Sequence, residues 1–325
     1  MKRIVNSRRK IRIDIEKVSD RPFYSMRYSG NDGFDEYIAR GAQSLEDYCS
    51  FIDNSLIHNG KTFVSGGDFC CSAFTARNKK GDVLFARNMD CNYAIPMLLS
   101  LTQSGAHGFV SLVNMAFLDW DESTFESIET DSKLTLAAAY SPSDGMNEYG
   151  LAVAVLTDVN SVYPRQNYRK TLFDLTLPRL LLSKATSVEE AVEYAGQFNY
   201  FYDVAPLHYI AADASGRSAV IEFVNGKMVK TTAVDCQAVT NFTLYGNSPK
   251  TGFGIERYDN ICKVLELRRG VISEEEALAL LKENVISGDE QWSAVYNLTQ
   301  KTLSVTFSGE YERIYRFGMN EVISR

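Results

Sequence analysis

The sequence predicts an α+β protein in which two β-sheets are covered by helices, and three observations carry that prediction. Strand patterns crowd together from residue 71 onward, helices with clear start signals follow them, and strands return near the C-terminus. Grouped strands and grouped helices differ from the steady alternation that a βαβ winding would show.

The first 70 residues read differently from the rest. "RKIRIDIEKVS" alternates like a short strand, "SLEDYCSFIDNSLI" has the apolar spacing of an amphipathic helix, and "NGKTFVSGGDF" reads as an approach loop. Next, "SAFTAR" and "VLFARN" flank "NKKGD", a polar turn containing Gly81, which signals a β-hairpin. Further strands are expected at "GFVSLVNMAF", "LTLAAAY", "GLAVAVL", "HYIAAD", "SAVIEFV" and "KMVKTT". Ser187 with Glu190 and Ser273 with Glu276 have capping-box spacing, in which each side chain satisfies an orphan backbone N–H at a helix start. "KTLFDLTLPRLLLSK" and "IERYDNICKVLELRR" are helical by apolar spacing, with Pro178 expected to bend the first. The last strands are expected around the turn in "WSAVYNLTQKTLSVTF".

Composition narrows the function. With 45% hydrophobic and 23% charged residues over 325 positions, the chain has ample material for a core. A net charge of -7 argues against a nucleic-acid partner, because phosphate binding needs clustered Lys and Arg. The basic start "MKRIVNSRRK" reads as a solvated terminus, with an anionic membrane surface as the lesser alternative. Apolar runs are far shorter than the ~18–20 residues of a membrane helix, so no stable membrane insertion is expected. No hydrophobic segment follows the start, which leads to an expectation of a cytoplasmic protein.

Cys49, Cys70, Cys71, Cys91, Cys236 and Cys262 show no CxxC spacing, and only three histidines are present. Neither a structural zinc site nor a disulfide framework is expected. Phosphate-loop and dinucleotide fingerprints are also missing, so the expected chemistry uses no metal and no cofactor. His58, His107 and His208 have no supporting motif and read as structural or exposed, which leaves a Cys–His dyad without support.

A cysteine nucleophile needs a base to form its thiolate. A free α-amino group, titrating near ~7.7–8, is well matched to that task at neutral pH. It becomes available if the chain is cut immediately before a cysteine that begins a strand, and "CSAFTARNKKGDVLFARNMD" offers that arrangement. The motif Arg87-Asn88-Met89-Asp90 begins sixteen residues after Cys71. "DGMNEYGLAVAVL" places Asn147 in a turn before a strand, "VTNFTLYG" places Asn241 at a strand end, and "GIERYDNICKVL" places Arg257 at a helix start. Taken singly, Cys71 reads as a buried inert thiol, Asn147 as a turn residue, Asn241 as a strand-end cap and Arg257 as a surface residue.

Together, these motifs resemble the choloylglycine hydrolase and penicillin V acylase family, linear-amide C–N hydrolases of the N-terminal-nucleophile superfamily. The resemblance covers residues 71–325 and implies a four-layer αββα sandwich of two mainly antiparallel sheets. Residues 1–70 would be a prepiece that docks on the body, covers the nascent site and can be dispensed with in a chain starting at Cys71. The resemblance also implies autoproteolysis between Cys70 and Cys71, since the offset of the Arg-Asn-Met-Asp motif fits only Cys71.

The roles it implies are as follows. Cys71 attacks the amide carbonyl and its α-amine shuttles the proton. Arg87 lowers the thiol pKa, and Asp90 holds the α-amine. Asn147 and Asn241 donate to the oxyanion, while Arg257 steadies developing charge. Met89, Tyr93, Ile95, Met97 and Leu98 are expected to line the substrate site from a loop beyond the motif. The substrate would be a small-molecule acyl amide of bile-salt, penicillin or N-acyl type, and homo-oligomerisation as a dimer or tetramer is implied. Two alternatives stay open: acyl transfer on the same fold, and an unprocessed binding protein with no catalysis.

Overall fold

The structure is a computed structural model of the chain. It describes residues 2–6, 9–20, 23–58, 69–91, 95–102, 106–118, 132–246, 250–286 and 290–319.

The N-terminal segment supplies three strands, β1 (Lys2–Asn6), β2 (Ile11–Lys17) and β3 (Tyr24–Ser29). Two helices follow, α1 (Phe34–Arg40) and α2 (Leu45–Ile52), the second running into one π turn at Asp53–Ile57. α2 begins where Ser44 accepts a hydrogen bond from the Asp47 N–H, an ordinary N-cap. The expected single strand is therefore a three-stranded antiparallel meander.

The body opens with the expected hairpin, β4 (Phe69–Arg77) and β5 (Val83–Cys91). In its turn, the Asn78 side-chain oxygen accepts the N–H groups of Lys80 and Asp82. β6 (Pro96–Thr102), β7 (Phe109–Asn114), β8 (Asp144–Asn147) and β9 (Ala152–Thr157) come next. "LTLAAAY", expected as a strand, lies within a 3-10 helix at Ser132–Tyr140. Its residues from Thr135 to Tyr140 are buried, so a short apolar run alone did not distinguish the two states.

β10 (Thr171–Phe173) and β11 (Asn199–Phe201) form a small parallel pair. Between them lie α3 (Leu177–Lys184) and α4 (Val188–Ala195). Pro178 sits in the first turn of α3, where its missing N–H has no intrahelical partner to lose, so it starts the helix and does not bend it. Ser187 caps α4 as expected, but Glu190 reaches one residue further back, to the Thr186 N–H. The chain continues through β12 (Leu207–Ala212), β13 (Arg217–Val224), β14 (Lys227–Val234) and β15 (Gln237–Val239). α5 (Ile255–Leu267) and α6 (Glu274–Glu283) follow, the latter with the full Ser273–Glu276 capping box. β16 (Glu290–Asn297), β17 (Thr302–Phe307) and β18 (Tyr315–Gly318) close the described chain.

Ten strands form one sheet in the order β1-β2-β3-β6-β7-β8-β9-β12-β13-β14, and six form the other as β15-β4-β5-β16-β17-β18. All pairs within these two sheets are antiparallel except β3 with β6. α3 and α4 pack on the larger sheet, α5 and α6 on the smaller, and β4 meets β9 between the sheets. The four-layer αββα sandwich is thus the observed architecture.

Side-chain alternation assigns the layers. Cys71, Ala73, Val83, Phe85 and Met89 join the main core between the sheets, whereas Phe74, Ala76, Leu84 and Ala86 join the cluster under α5 and α6. The N-terminal segment belongs to the same core: β3 runs along β6 with Tyr24 opposite Met97 and Ser25 opposite Leu98. Asp32 pairs with Arg179 at 3.1 Å, both fully buried, and the Arg179 guanidinium lies over the rings of Phe34 and Phe109. Phe23 packs on Phe307 of the other sheet. Among the described residues, no helix is long and apolar enough to cross a membrane.

Candidate active site

Cys71 lies in β4 opposite Met89 of β5, and Arg87 stands two residues from Met89 on the same face. All three side chains are fully buried between the sheets. One Arg87 terminal nitrogen lies 3.4 Å from the Cys71 Sγ, 3.1 Å from the Met89 sulfur and 2.7 Å from the Val155 carbonyl, to which it donates. The other donates to the Asp144 carboxylate at 3.0 Å.

The main chain of Cys71 is held separately. Its N–H donates to the Asn241 side-chain oxygen at 2.8 Å, and its carbonyl accepts from Arg257 at 2.7 Å. Arg257 also donates to that Asn241 oxygen at 2.9 Å, and the Asn241 amide donates to the Thr157 carbonyl. Local backbone makes this reach available. Asn241 follows the short strand β15, which pairs with β4 and so lies beside the cysteine. Gly254, in the left-handed region at φ 83°, caps α5, and a Cβ there would come within 2.6 Å of the Arg257 guanidinium.

Asp90 lies in β5 opposite Cys70 and is fully buried; its carboxylate is close enough to act on the Cys71 thiol. In the continuous chain, burial pushes that thiol up to about 12. Arg87 pulls it down, Asp90 raises it and Arg257 lowers it, and burial outweighs both cations. In this state Cys71 is a neutral thiol at physiological pH.

Asn147 does not join this group. Its amide donates to the carbonyls of Leu182 and Ala185, and its oxygen accepts the N–H groups of Tyr149 and Leu151. Both of its side-chain N–H groups are committed to backbone, so in the continuous chain the Asn147 side chain braces α3 against the 147–151 turn. Gly150 completes that turn at φ 80°, with the Leu298 carbonyl too near for any Cβ.

The expected substrate loop is also different. Ile95 and the β6 residues Met97 and Leu98 are buried core side chains, β6 pairs with β3, and Pro96 is the first residue of the strand, a position that tolerates proline. Met89 does lie beside the thiol, 3.7 Å from its sulfur. Tyr93 lies outside the described residues.

Sequence reasoning missed Asp144. It accepts from Arg87, from the Trp292 ring N–H at 3.0 Å and from the Tyr296 hydroxyl, while Arg87 lies over the Trp292 ring. Burial pushes its carboxyl up from the ordinary range, and Arg87 opposes that. Its signal was an acidic residue three positions before Asn147, at the start of the short strand β8. Outside this cluster, Asp158, His208 and Glu222 are the group whose ligand atoms lie near enough to share a metal ion among the described residues.

Comparison with known proteins follows the same outline. Residues 71–241 match the family model described as linear amide C–N hydrolases, choloylglycine hydrolase family. The chain is 32% identical over 113 residues to a penicillin V acylase of Pectobacterium atrosepticum, a stretch covering 31% of this chain and 30% of that protein. That relative is therefore matched over less than a third of its length. Among solved structures, a mutant conjugated bile acid hydrolase from Clostridium perfringens superposes with a TM-score of 0.57 at 16% identity, over 77% of this chain and 93% of that one. Penicillin V acylase from Agrobacterium tumefaciens gives 0.57 at 19% identity, over 77% and 87%. At these identities the structural likeness concerns the fold.

Proposed function

The chain belongs to the choloylglycine hydrolase family of linear amide C–N hydrolases, and on that premise we propose that it hydrolyses a small acyl amide through Cys71, exposed as an N-terminal residue by cutting at the Cys70–Cys71 bond. The observation that carries this reading is the threefold hold on one cysteine: Asn241 at its nitrogen, Arg257 at its carbonyl and Arg87 at its sulfur.

The same groups support the cut. The Cys71 Sγ attacks the Cys70 carbonyl carbon, the C–N bond breaks as the Cys71 nitrogen takes a proton, and water hydrolyses the resulting thioester. The products are a Cys70 carboxylate and a Cys71 α-amine. That amine then serves as the base that the buried thiol lacks in the continuous chain. In turnover, the thiolate attacks the substrate carbonyl, the amine leaves with the proton that the α-amine has carried, and water releases the acid. Arg87 stabilises the thiolate, and Arg257 bears on the charge that develops nearby.

For the acyl group, Met89 beside the thiol favours an uncharged or weakly polar chain bound by shape.

Intact mass of the purified protein is the first test. A fragment beginning at Cys71 is expected from the native chain, with Cys71→Ala remaining full length and inactive and Cys70→Ala still processed. A native chain that stays full length yet turns over phenoxyacetyl, medium-chain N-acyl and glycine-conjugated bile-acid amides would overturn the N-terminal base. A full-length chain without activity would favour a binding protein.

A further inference from the structure

Asp158 directly follows β9, His208 lies in β12 and Glu222 in β13, three strands adjacent in the larger sheet. All three are buried, and one ligand atom of each lies within 4.8 Å of the others. The His208 Nε2 is 2.8 Å from the Thr240 carbonyl. A carbonyl only accepts, so this nitrogen carries the ring proton and, in the neutral ring, leaves a lone pair on Nδ1. Nδ1 is buried without a hydrogen-bond partner among the described residues and faces Glu222 Oε1 at 3.5 Å.

That distance is longer than the ~2.7–3.2 Å of an N–H···O bond and close to the ~3.4 Å ligand–ligand edge of a tetrahedral centre with bonds of ~2.1 Å. The surroundings are those of oriented ligands. Asp158 accepts from the Asn160 N–H and from the Ser161 and Thr243 hydroxyls, and Glu222 accepts from the N–H groups of Leu244 and Tyr245. A backbone carbonyl behind the imidazole and donors behind the carboxylates are the outer shell that metal ligands use. Two buried carboxylates also call for a neutralising charge.

We propose that Asp158, His208 and Glu222 bind one divalent cation of the zinc class, a choice set by one imidazole nitrogen with two carboxylates. The cation braces the loop that carries Asn241: His208 holds Thr240 on one side, while Asp158 and Glu222 hold Thr243, Leu244 and Tyr245 on the other. This inference stands whether or not Cys71 is catalytic, since its readouts are metal binding and stability. The competing reading is a doubly protonated His208 paired with the carboxylates, and it takes up no metal.

The test uses the full chain, stripped with a chelator at neutral pH and dialysed against zinc alone. About one retained equivalent by elemental analysis, with a raised Tm, is expected. Cobalt in place of zinc should give d–d bands without thiolate charge transfer, which separates this site from the six cysteines. His208→Gln and Glu222→Gln should bind roughly tenfold or more weakly. Should those variants fail to fold, the cobalt spectrum of the native chain still decides. No retained zinc, a thiolate band, or undiminished binding in folded variants would overturn the proposal.

Discussion

Asp144 and Arg87 form an ion pair 3.0 Å long in which both side chains are fully buried, and the same guanidinium reaches the Cys71 sulfur. The carboxylate comes from the larger sheet and the cation from the smaller, so this contact ties the two sheets together at the thiol. Trp292 and Tyr296 hydrogen-bond the carboxylate from β16 and fix its orientation.

Asp144→Ala should therefore leave a buried guanidinium uncompensated and lower stability by about 3–5 kcal/mol, measured by urea unfolding. Asp144→Asn keeps the shape and loses the charge. It leaves the same guanidinium uncompensated but keeps an oxygen to accept from it, so it is expected to lose less stability than Asp144→Ala and to lower kcat about a hundredfold through a shift of the guanidinium that reaches the sulfur. Asparagine with native turnover would reduce Asp144 to a packing residue.

A second buried acid sets a pH dependence unrelated to the thiol. Burial pushes the Asp174 carboxyl up to about 8, against a lowering hydrogen bond from the Tyr163 hydroxyl. The unfolded chain releases this proton near ~3.9. Between those values the folded state binds the extra proton, so this group's contribution falls as pH rises, by up to ~1.4 kcal/mol per pH unit, and is complete below pH ~4. Asp174→Asn, which mimics the protonated acid, should match the native chain in urea at pH 4 and exceed it at pH 8. Equal stability at both would show that Asp174 ionises normally.

The N-terminal segment supports a prediction opposite to the sequence expectation of a dispensable prepiece. From Ile11 to Ile57 it contributes fifteen side chains to the main core. At ~1.5–3 kcal/mol each, their gross burial amounts to tens of kcal/mol, well above the ~5–15 kcal/mol net stability of a domain. Without β3, β6 would also become an open edge. A chain starting at Met followed by Cys71 is expected to aggregate, and co-expression of residues 1–70 should restore soluble protein. In a processed sample the two pieces should co-elute until denaturant is added. Soluble, folded 71–325 made alone would contradict this.

What the sequence made legible depended on how local each signal was. The β4–β5 hairpin, the Ser273 cap and the Cys71–Arg87 offset each fit within one or two elements, and each was found. β6 was misread because Pro96 suggested a loop, although a strand's first residue tolerates proline. Asp144 and the Asp158–His208–Glu222 group were not legible because their partners come from strands distant in sequence. Only the sheet order brings those strands together.

The two asparagines are the sharpest test of the site. The Asn147 side chain makes four hydrogen bonds to backbone, and Asn241 joins the Cys71 nitrogen to Arg257. A hydrogen bond contributes about 1 kcal/mol net, and more is lost where a buried partner is stranded. Asn147→Ala should thus lower stability by several kcal/mol through the Leu182 and Ala185 carbonyls, and whatever folds should retain kcat. Asn241→Ala should also lose stability, since it strands the Cys71 N–H and the Thr157 carbonyl, but its folded fraction should turn over about 10²–10³-fold more slowly, the range for losing a group at the developing charge. Processing, read by intact mass, should fail or slow with Asn241→Ala and persist with Asn147→Ala. If folded Asn147→Ala loses turnover as deeply as Asn241→Ala, then Asn147 reorients in the processed enzyme, and the original oxyanion assignment would stand.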